Sequence, residues 1–131
     1  MPKQVINNVA GATPPLPVFS HAVISNGHVY VSGSIGSDEE YNIVGGVQQQ
    51  ARAALDNMKA ILEGAGSGLE HIVKVTVYLT NMVRDFGIFN EVYAEMWERC
   101  LRGRALVLRP CPWEQFVEVE CIAELAPGDE E

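Results

Sequence analysis

A chain of 131 residues with 47% hydrophobic content can build one core and needs neither a second domain nor covalent staples. Its formal net charge of -8 makes the surface acidic on average, which argues against a nucleic-acid partner, because phosphate recognition depends on clustered Lys and Arg. The apolar runs are too short to span a bilayer, and the start Met1-Pro2-Lys3-Gln4 has neither an apolar signal core nor an Arg-rich transit pattern, so a cytoplasmic protein without membrane contact is expected.

The elements follow closely on one another. Residues 1–17 read as a Pro-rich N-terminal segment, with Pro14, Pro15 and Pro17 excluding regular helix from Gly11 onward. His21–Ser25 and His28–Gly33 are β-rich runs on either side of Asn26-Gly27, the dipeptide that best supplies positive φ, and they predict a hairpin. From Val47 to Ala65 the apolar residues Val47, Ala51, Ala54, Leu55, Met58, Ile61 and Leu62 recur at helical spacing, which predicts an amphipathic helix. The glycines at 64, 66 and 68 follow that helix, so they predict a C-terminal stop and not a phosphate cradle, which precedes a helix. Ile72–Leu79 alternates, with Val73, Val75, Val77 and Leu79 expected on the dry face and Lys74, Thr76 and Tyr78 on the other.

A second helix is expected to start between Asn81 and Asp85, with Phe86, Phe89, Tyr93 and Met96 along one stripe. Ala105–Leu108 and Phe116–Leu125 supply two more strands, and 126–131 reads as an acidic tail. The whole predicts one α+β domain over 1–131, with a mixed sheet, two helices on one of its faces, and the other face left for a neighbouring subunit to cover.

Few residues carry chemistry by pattern alone. Period-2 geometry puts Phe116, Glu118, Glu120 and Ile122 on one face of the last strand and Val117, Val119, Cys121 and Ala123 on the core face. The two glutamates are either paired surface charges or members of a site on the sheet's free face. Arg104 opens the preceding strand, and its planar fork of donors suits bidentate capture of a carboxylate, or a salt bridge to a glutamate of the next strand. His21, His28 and His71 lack metal-ligand spacing, and Cys100, Cys111 and Cys121 lack a Cys-x-x-Cys pair, so no metal is assigned. Ser20-His21 cannot readily act as nucleophile and base, because neighbouring strand residues point to opposite faces.

Longer stretches carry a resemblance. Phe19-Ser20-His21-Ala22-Val23, Val29-Tyr30-Val31-Ser32-Gly33, Leu55-Asp56-Asn57-Met58-Lys59-Ala60-Ile61-Leu62, Val73-Lys74-Val75-Thr76-Val77-Tyr78-Leu79-Thr80, Phe89-Asn90-Glu91-Val92-Tyr93 and Val117-Glu118-Val119-Glu120 resemble the reactive-intermediate deaminase (RidA) family in order and spacing, from about Phe19 to Glu124. The resemblance implies a chorismate-mutase-like fold of the bacillus type, assembled as a homotrimeric barrel with ligand pockets at the subunit clefts. It further implies hydrolytic deamination of 2-imino or enamino acids, of the 2-iminobutanoate and 2-iminopropanoate kind, to 2-keto acids and ammonia. By position Arg104 matches the arginine that holds the substrate carboxylate, Glu120 the glutamate that places a water, Ser32 a pocket serine and Asn90 a residue near the cleft, with Phe86 lining it. No cofactor is implied, because the iminium carbon is already electrophilic.

The chain departs from that family pattern at Phe19, where a tyrosine is usual, and at Leu106, where a cysteine is frequent. Gly103 replaces a common proline, and Arg109-Pro110-Cys111-Pro112-Trp113 is divergent. Two alternatives follow: a specialised member acting on another unsaturated metabolite, or a trimer that binds small carboxylates without turning them over.

Overall fold

The computed structural model describes residues 2–15, 19–37, 40, 42, 45–96, 105–110 and 117–127, with 105–110 described by backbone alone. Asn26 and Gly27 both take left-handed backbone angles, φ 52° and 80°, and close a two-residue turn between β2 (Ala22–Ser25) and β3 (His28–Ile35). Two consecutive positive φ values give the turn the twist of its flanking strands, and Asn-Gly supplies them at low cost. A short strand, β1 (Gln4–Ile6), pairs antiparallel with β2. Sequence reading left these residues in the irregular N-terminal segment. Three residues are too few for alternation to show, and it is the pairing edge of β2 that orders them.

Helix α1 (Val47–Gly64) buries each of the seven apolar residues that its spacing selects, together with Gln50. The Gln50 amide donates to Gly45 O at 3.1 Å. The helix backbone at Gln50 approaches Gly36 so closely that any side chain at 36 would strike it. At the other end Gly66, at φ 88°, takes the left-handed position, while Ser67 N–H donates to Leu62 O (2.9 Å) and Gly66 N–H to Glu63 O (3.2 Å). That pair of bonds satisfies carbonyls the last turn leaves open, and it confirms a helix stop in the glycine run. Asn57 joins α1 to two neighbours, accepting from Thr13 N–H at 2.7 Å and donating to the buried Ser34 Oγ at 2.9 Å. Asn57→Ala should therefore lower unfolding free energy by about 1–3 kcal/mol in urea titration, since it strands a buried hydroxyl. An unchanged midpoint would show that the bridge is replaceable.

After a 3₁₀ turn at Leu69–His71, β4 (Ile72–Leu79) buries Ile72, Val75, Val77 and Leu79. Val73, expected on that dry face, is instead 41% exposed. The register of β4 on its neighbour β6 (Val117–Glu124) shifts between Ile72 and Lys74, and the extra residue turns Val73 outward.

Helix α2 (Met82–Met96) starts at Asn81, whose Oδ1 accepts the Arg84 N–H at 3.0 Å. Its inward residues are Asp85, Phe89, Val92 and Tyr93. Phe86 is a correction, because it is 41% exposed and Asp85 takes the inward place beside it. The Asp85 carboxylate tolerates burial because the Arg84 guanidinium grips it with Nε at 2.6 Å and an Nη at 2.8 Å.

The sheet order is β1-β2-β3-β6-β4-β5, where β5 is Ala105–Pro110. Among the described strands only β4 and β5 run parallel, and β6 lies between β3 and β4. Pro110 ends the edge strand β5, where a missing N–H costs no ladder bond. Both helices pack on one face of this mixed sheet, α1 over β3 and β6 and α2 against α1 and β4. Val29, Leu55, Met58, Leu62, Val75, Val77, Leu79, Phe89, Val117 and Val119 are fully buried between the layers. Each such side chain contributes about 1.5–3 kcal/mol of transfer free energy.

Candidate functional site

Alternation along β6 sends Val117, Val119, Cys121 and Ala123 into the core and leaves Glu118, Glu120 and Ile122 half-buried on the face away from the helices. The strand opposite makes room for them. β3 pairs with β6 up to Val31↔Cys121 and resumes at Ser34↔Val119, so two residues, Ser32 and Gly33, stand opposite the single residue Glu120. A bulge of this kind bends the strand and re-aims its side chains. Sequence reading ended the strand at Gly33, whereas it continues through the bulge to Ile35.

Ser32 is tied to the start of the hairpin, donating through its N–H to His21 O at 3.0 Å and through Oγ to Ser20 O at 2.6 Å. Those two bonds fix the chain beside Phe19, which is 60% exposed. Gly33 leaves space for a neighbour. The Glu118 carboxyl lies where a Cβ at 33 would be, so any side chain there would displace it.

On the other side of β6, Thr76 lies opposite Glu120 and Tyr78 opposite Glu118. The Tyr78 phenol reaches diagonally and donates to Glu120 Oε2 at 3.3 Å, long for an O–H···O bond but enough to orient one carboxylate oxygen. Partial burial raises the Glu118 carboxyl above its ordinary pKa, and the charge of Glu120 adds to the shift. Burial, reinforced by Glu120, pushes the Cys121 thiol up to about 12, which leaves it a poor nucleophile. Among the described residues neither glutamate makes an ion pair.

The other expected site residues divide. Arg104 lies outside the described residues. Leu106 is placed by backbone register opposite Val75, a core position, while Val107 stands opposite Thr76 and so in the row of Glu120. Phe86 and Asn90 are exposed on α2, in the layer that covers the far face of the sheet from Glu120. One chain therefore brings Phe19, Ser32 and Glu120 to one region and leaves Phe86 and Asn90 apart from it. Nothing in the sequence pattern marks Tyr78 as a site residue. Its place on the outer face is legible from alternation, but its reach to Glu120 depends on which strands pair.

The remaining candidates have structural roles. His21 is 3% exposed, with Nδ1 accepting from Val9 N–H at 3.3 Å and Nε2 donating to Thr13 O at 2.8 Å, so its ring is committed to holding the N-terminal segment. It is a satisfied core histidine where a surface or edge one was expected. Among the described residues no cluster of His, Cys, Asp or Glu is placed to hold a metal, and no helix is long and apolar enough to cross a membrane. A cleft of about 470 Å³ between the start of α1 and α2, and one of about 490 Å³ between β1 and the end of α1, contain none of the expected site residues.

Comparison with known proteins gives the geometry a setting. The RutC family protein UK114 of Drosophila melanogaster is 36% identical over 119 residues, covering 88% of this chain and 86% of that one. The 2-iminobutanoate/2-iminopropanoate deaminase of Rattus norvegicus is 37% identical over 112 residues, covering 83% and 81%. The crystal structure of E. coli TdcF with bound serine superposes with a TM-score of 0.81 at 30% identity, covering 94% of this chain and 100% of that one. With residues 10–125 matching the model of the Endoribonuclease L-PSP family, and with relatives of this kind across nearly the whole fold, the chain belongs to that family, the RidA and RutC proteins.

Proposed function

We propose that this protein hydrolyses reactive 2-imino and enamino acids to 2-keto acids and ammonia, at sites formed where three copies of the chain meet in a chorismate-mutase-like barrel. The observation that carries the reading is Glu120, half-buried on the uncovered sheet face, opposite the Ser32–Gly33 bulge and held by Tyr78. A carboxylate so placed can orient a water and take its proton as the water attacks an electrophilic carbon. Arg104, one residue before β5, is assigned the substrate carboxylate, because a guanidinium offers paired donors at a fixed charge. The rat relative bears the name of this activity, and TdcF was crystallised with serine, an amino acid of the same small 2-substituted class.

The same face supports assembly. Tyr30 and Val73, 46% and 41% exposed, are apolar groups on the outer side of a sheet whose other side carries the helices over β3, β4 and β6. A second protomer packed there would bury them and would supply the Phe86 and Asn90 surface of α2 that a single chain keeps away from Glu120.

Phe19 favours a narrower version of the reading. Its exposed ring, one residue before the Ser20 carbonyl that accepts from Ser32 Oγ, offers contact area and no hydroxyl, which suits an imine with a more apolar side chain. The test is keto-acid release from imines generated in situ by an amino-acid oxidase, run with 2-aminobutyrate, alanine and leucine as precursors. Acceleration by the purified protein, greatest with leucine, is expected. A rate equal to the uncatalysed one with all three precursors would leave a carboxylate-binding role.

A further inference from the structure

As water adds to an imine, one proton leaves the water and another must reach the nitrogen in the same step, and a single ionised carboxylate can serve only the first of these. Glu118 and Glu120 are two positions apart on β6, on one face, with Cα atoms about 6.6 Å apart at the usual rise of a strand. Their surroundings differ. Glu120 receives the Tyr78 hydroxyl, which orients one of its oxygens. Glu118 receives no donor among the described residues and lies folded over Gly33, against backbone that lacks a Cβ.

We propose that Glu118 is the general acid of this site, its carboxyl seated over Gly33 and carrying the proton that passes to the substrate nitrogen, while Glu120, held by Tyr78, takes the proton of the attacking water. This rests on the deaminase reading. In the first step the water oxygen bonds to the imine carbon, the C=N π pair moves onto nitrogen, nitrogen takes the Glu118 proton, and Glu120 takes the water proton. In the second, the carbinolamine hydroxyl returns its proton to Glu118 as C=O forms, and the C–N bond breaks with the Glu120 proton moving to nitrogen, releasing ammonia. Both carboxyls end as they began, and no oxidant or cofactor enters the balance. Two carboxyls of unlike environment working in opposite protonation states is a recurrent solution to acid–base chemistry near neutral pH. The burial that raises the proton affinity of Glu118 acts in the required direction.

The groups facing Glu118 are Glu120 on its own strand, Tyr78 and, further along, Lys74 on β4, and the uncharged Ser32, Gly33 and Ile35 on β3. Arg109 of β5 shares the backbone row of Tyr78. Because a general acid must be protonated, activity that depends on Glu118 is lost as pH rises through its raised pKa.

The full-length protein and its E118Q, E118D, E120Q and Y78F variants would be assayed across a pH series on 2-iminobutanoate made in situ. E118Q should lower kcat about 10- to 100-fold with KM within twofold and should abolish the alkaline fall, whereas E118D should restore part of kcat. Y78F should lower kcat severalfold and keep the alkaline fall. In parallel, side-chain ¹³C NMR of labelled glutamate should show Glu118 titrating above an ordinary glutamate and moving back towards it in E120Q. An active wild type with E118Q unchanged in kcat and pH profile overturns the assignment of Glu118 alone. An inactive wild type removes the deaminase reading and this proposal with it. An ordinary Glu118 midpoint overturns the proposal even if E118Q fails to fold.

Discussion

Arg104→Ala should lower kcat/KM for 2-iminobutanoate about 100- to 20,000-fold, and most of the loss should appear in KM. A charge-assisted hydrogen bond contributes about 1.5–3 kcal/mol, and a guanidinium fork on a carboxylate makes two of them. Since 1.4 kcal/mol is tenfold, losing both places the effect in that range. Arg104→Lys keeps the charge and loses the fork, so it should fall between the two. Glu120→Gln should instead lower kcat with little change in KM, because the base acts only as water attacks. This split separates a gripping residue from a reacting one. If Arg104→Ala left kcat/KM within threefold while Glu120→Gln abolished turnover, the substrate carboxylate would have to be held elsewhere, and Arg104 would revert to a salt-bridge partner of a neighbouring strand.

The largest effect on stability is expected at Phe89, where replacement by alanine should cost about 3–5 kcal/mol. The ring is 1% exposed, stands 5.7 Å from the Tyr93 ring, and fills the layer where α2 meets α1 and β4. Removing it leaves a cavity that the surrounding side chains cannot close without shifting two helices. Phe86→Ala provides the contrast, because three residues earlier on the same helix the ring is 41% exposed within one chain and its loss should move the urea midpoint much less. Unfolding would be followed at one fixed protein concentration, since association would add to apparent stability. Equal midpoint shifts for the two variants would mean that Phe86 is as buried in solution as Phe89, as it would be if a neighbouring protomer covered it.

Much of the fold was legible before any coordinates. The hairpin at Asn26-Gly27, the inward set of α1, the glycine stop at its end and the two faces of β6 all follow from backbone preferences and from periods of 3.6 and 2. Each is a property of a single segment, so the segment's residues suffice to determine it. Errors fell where a second segment intervenes, or where a charge pair within one helix overrides the apolar period. Val73 was assigned to the core by alternation and is turned out by a register shift against β6. Phe86 was assigned to the α2 stripe and loses its place to Asp85, whose carboxylate can be buried only because Arg84 folds back onto it. β1 exists because β2 offers an edge.

For the candidate site the division is the same. The amino-acid order by itself determined that Glu118 and Glu120 share a face and that this face is not the core, because side-chain direction in a strand is set by local φ and ψ. Only the tertiary arrangement decided that a bulge puts Ser32 and Gly33 opposite Glu120, that the missing Cβ of Gly33 admits the Glu118 carboxyl, and that the Tyr78 hydroxyl reaches Glu120 and not its direct partner Glu118. Those contacts join residues 42 or more positions apart, as between Tyr78 and Glu120. Their geometry depends on which strands pair and in what register, and that is settled when the whole sheet closes over one core.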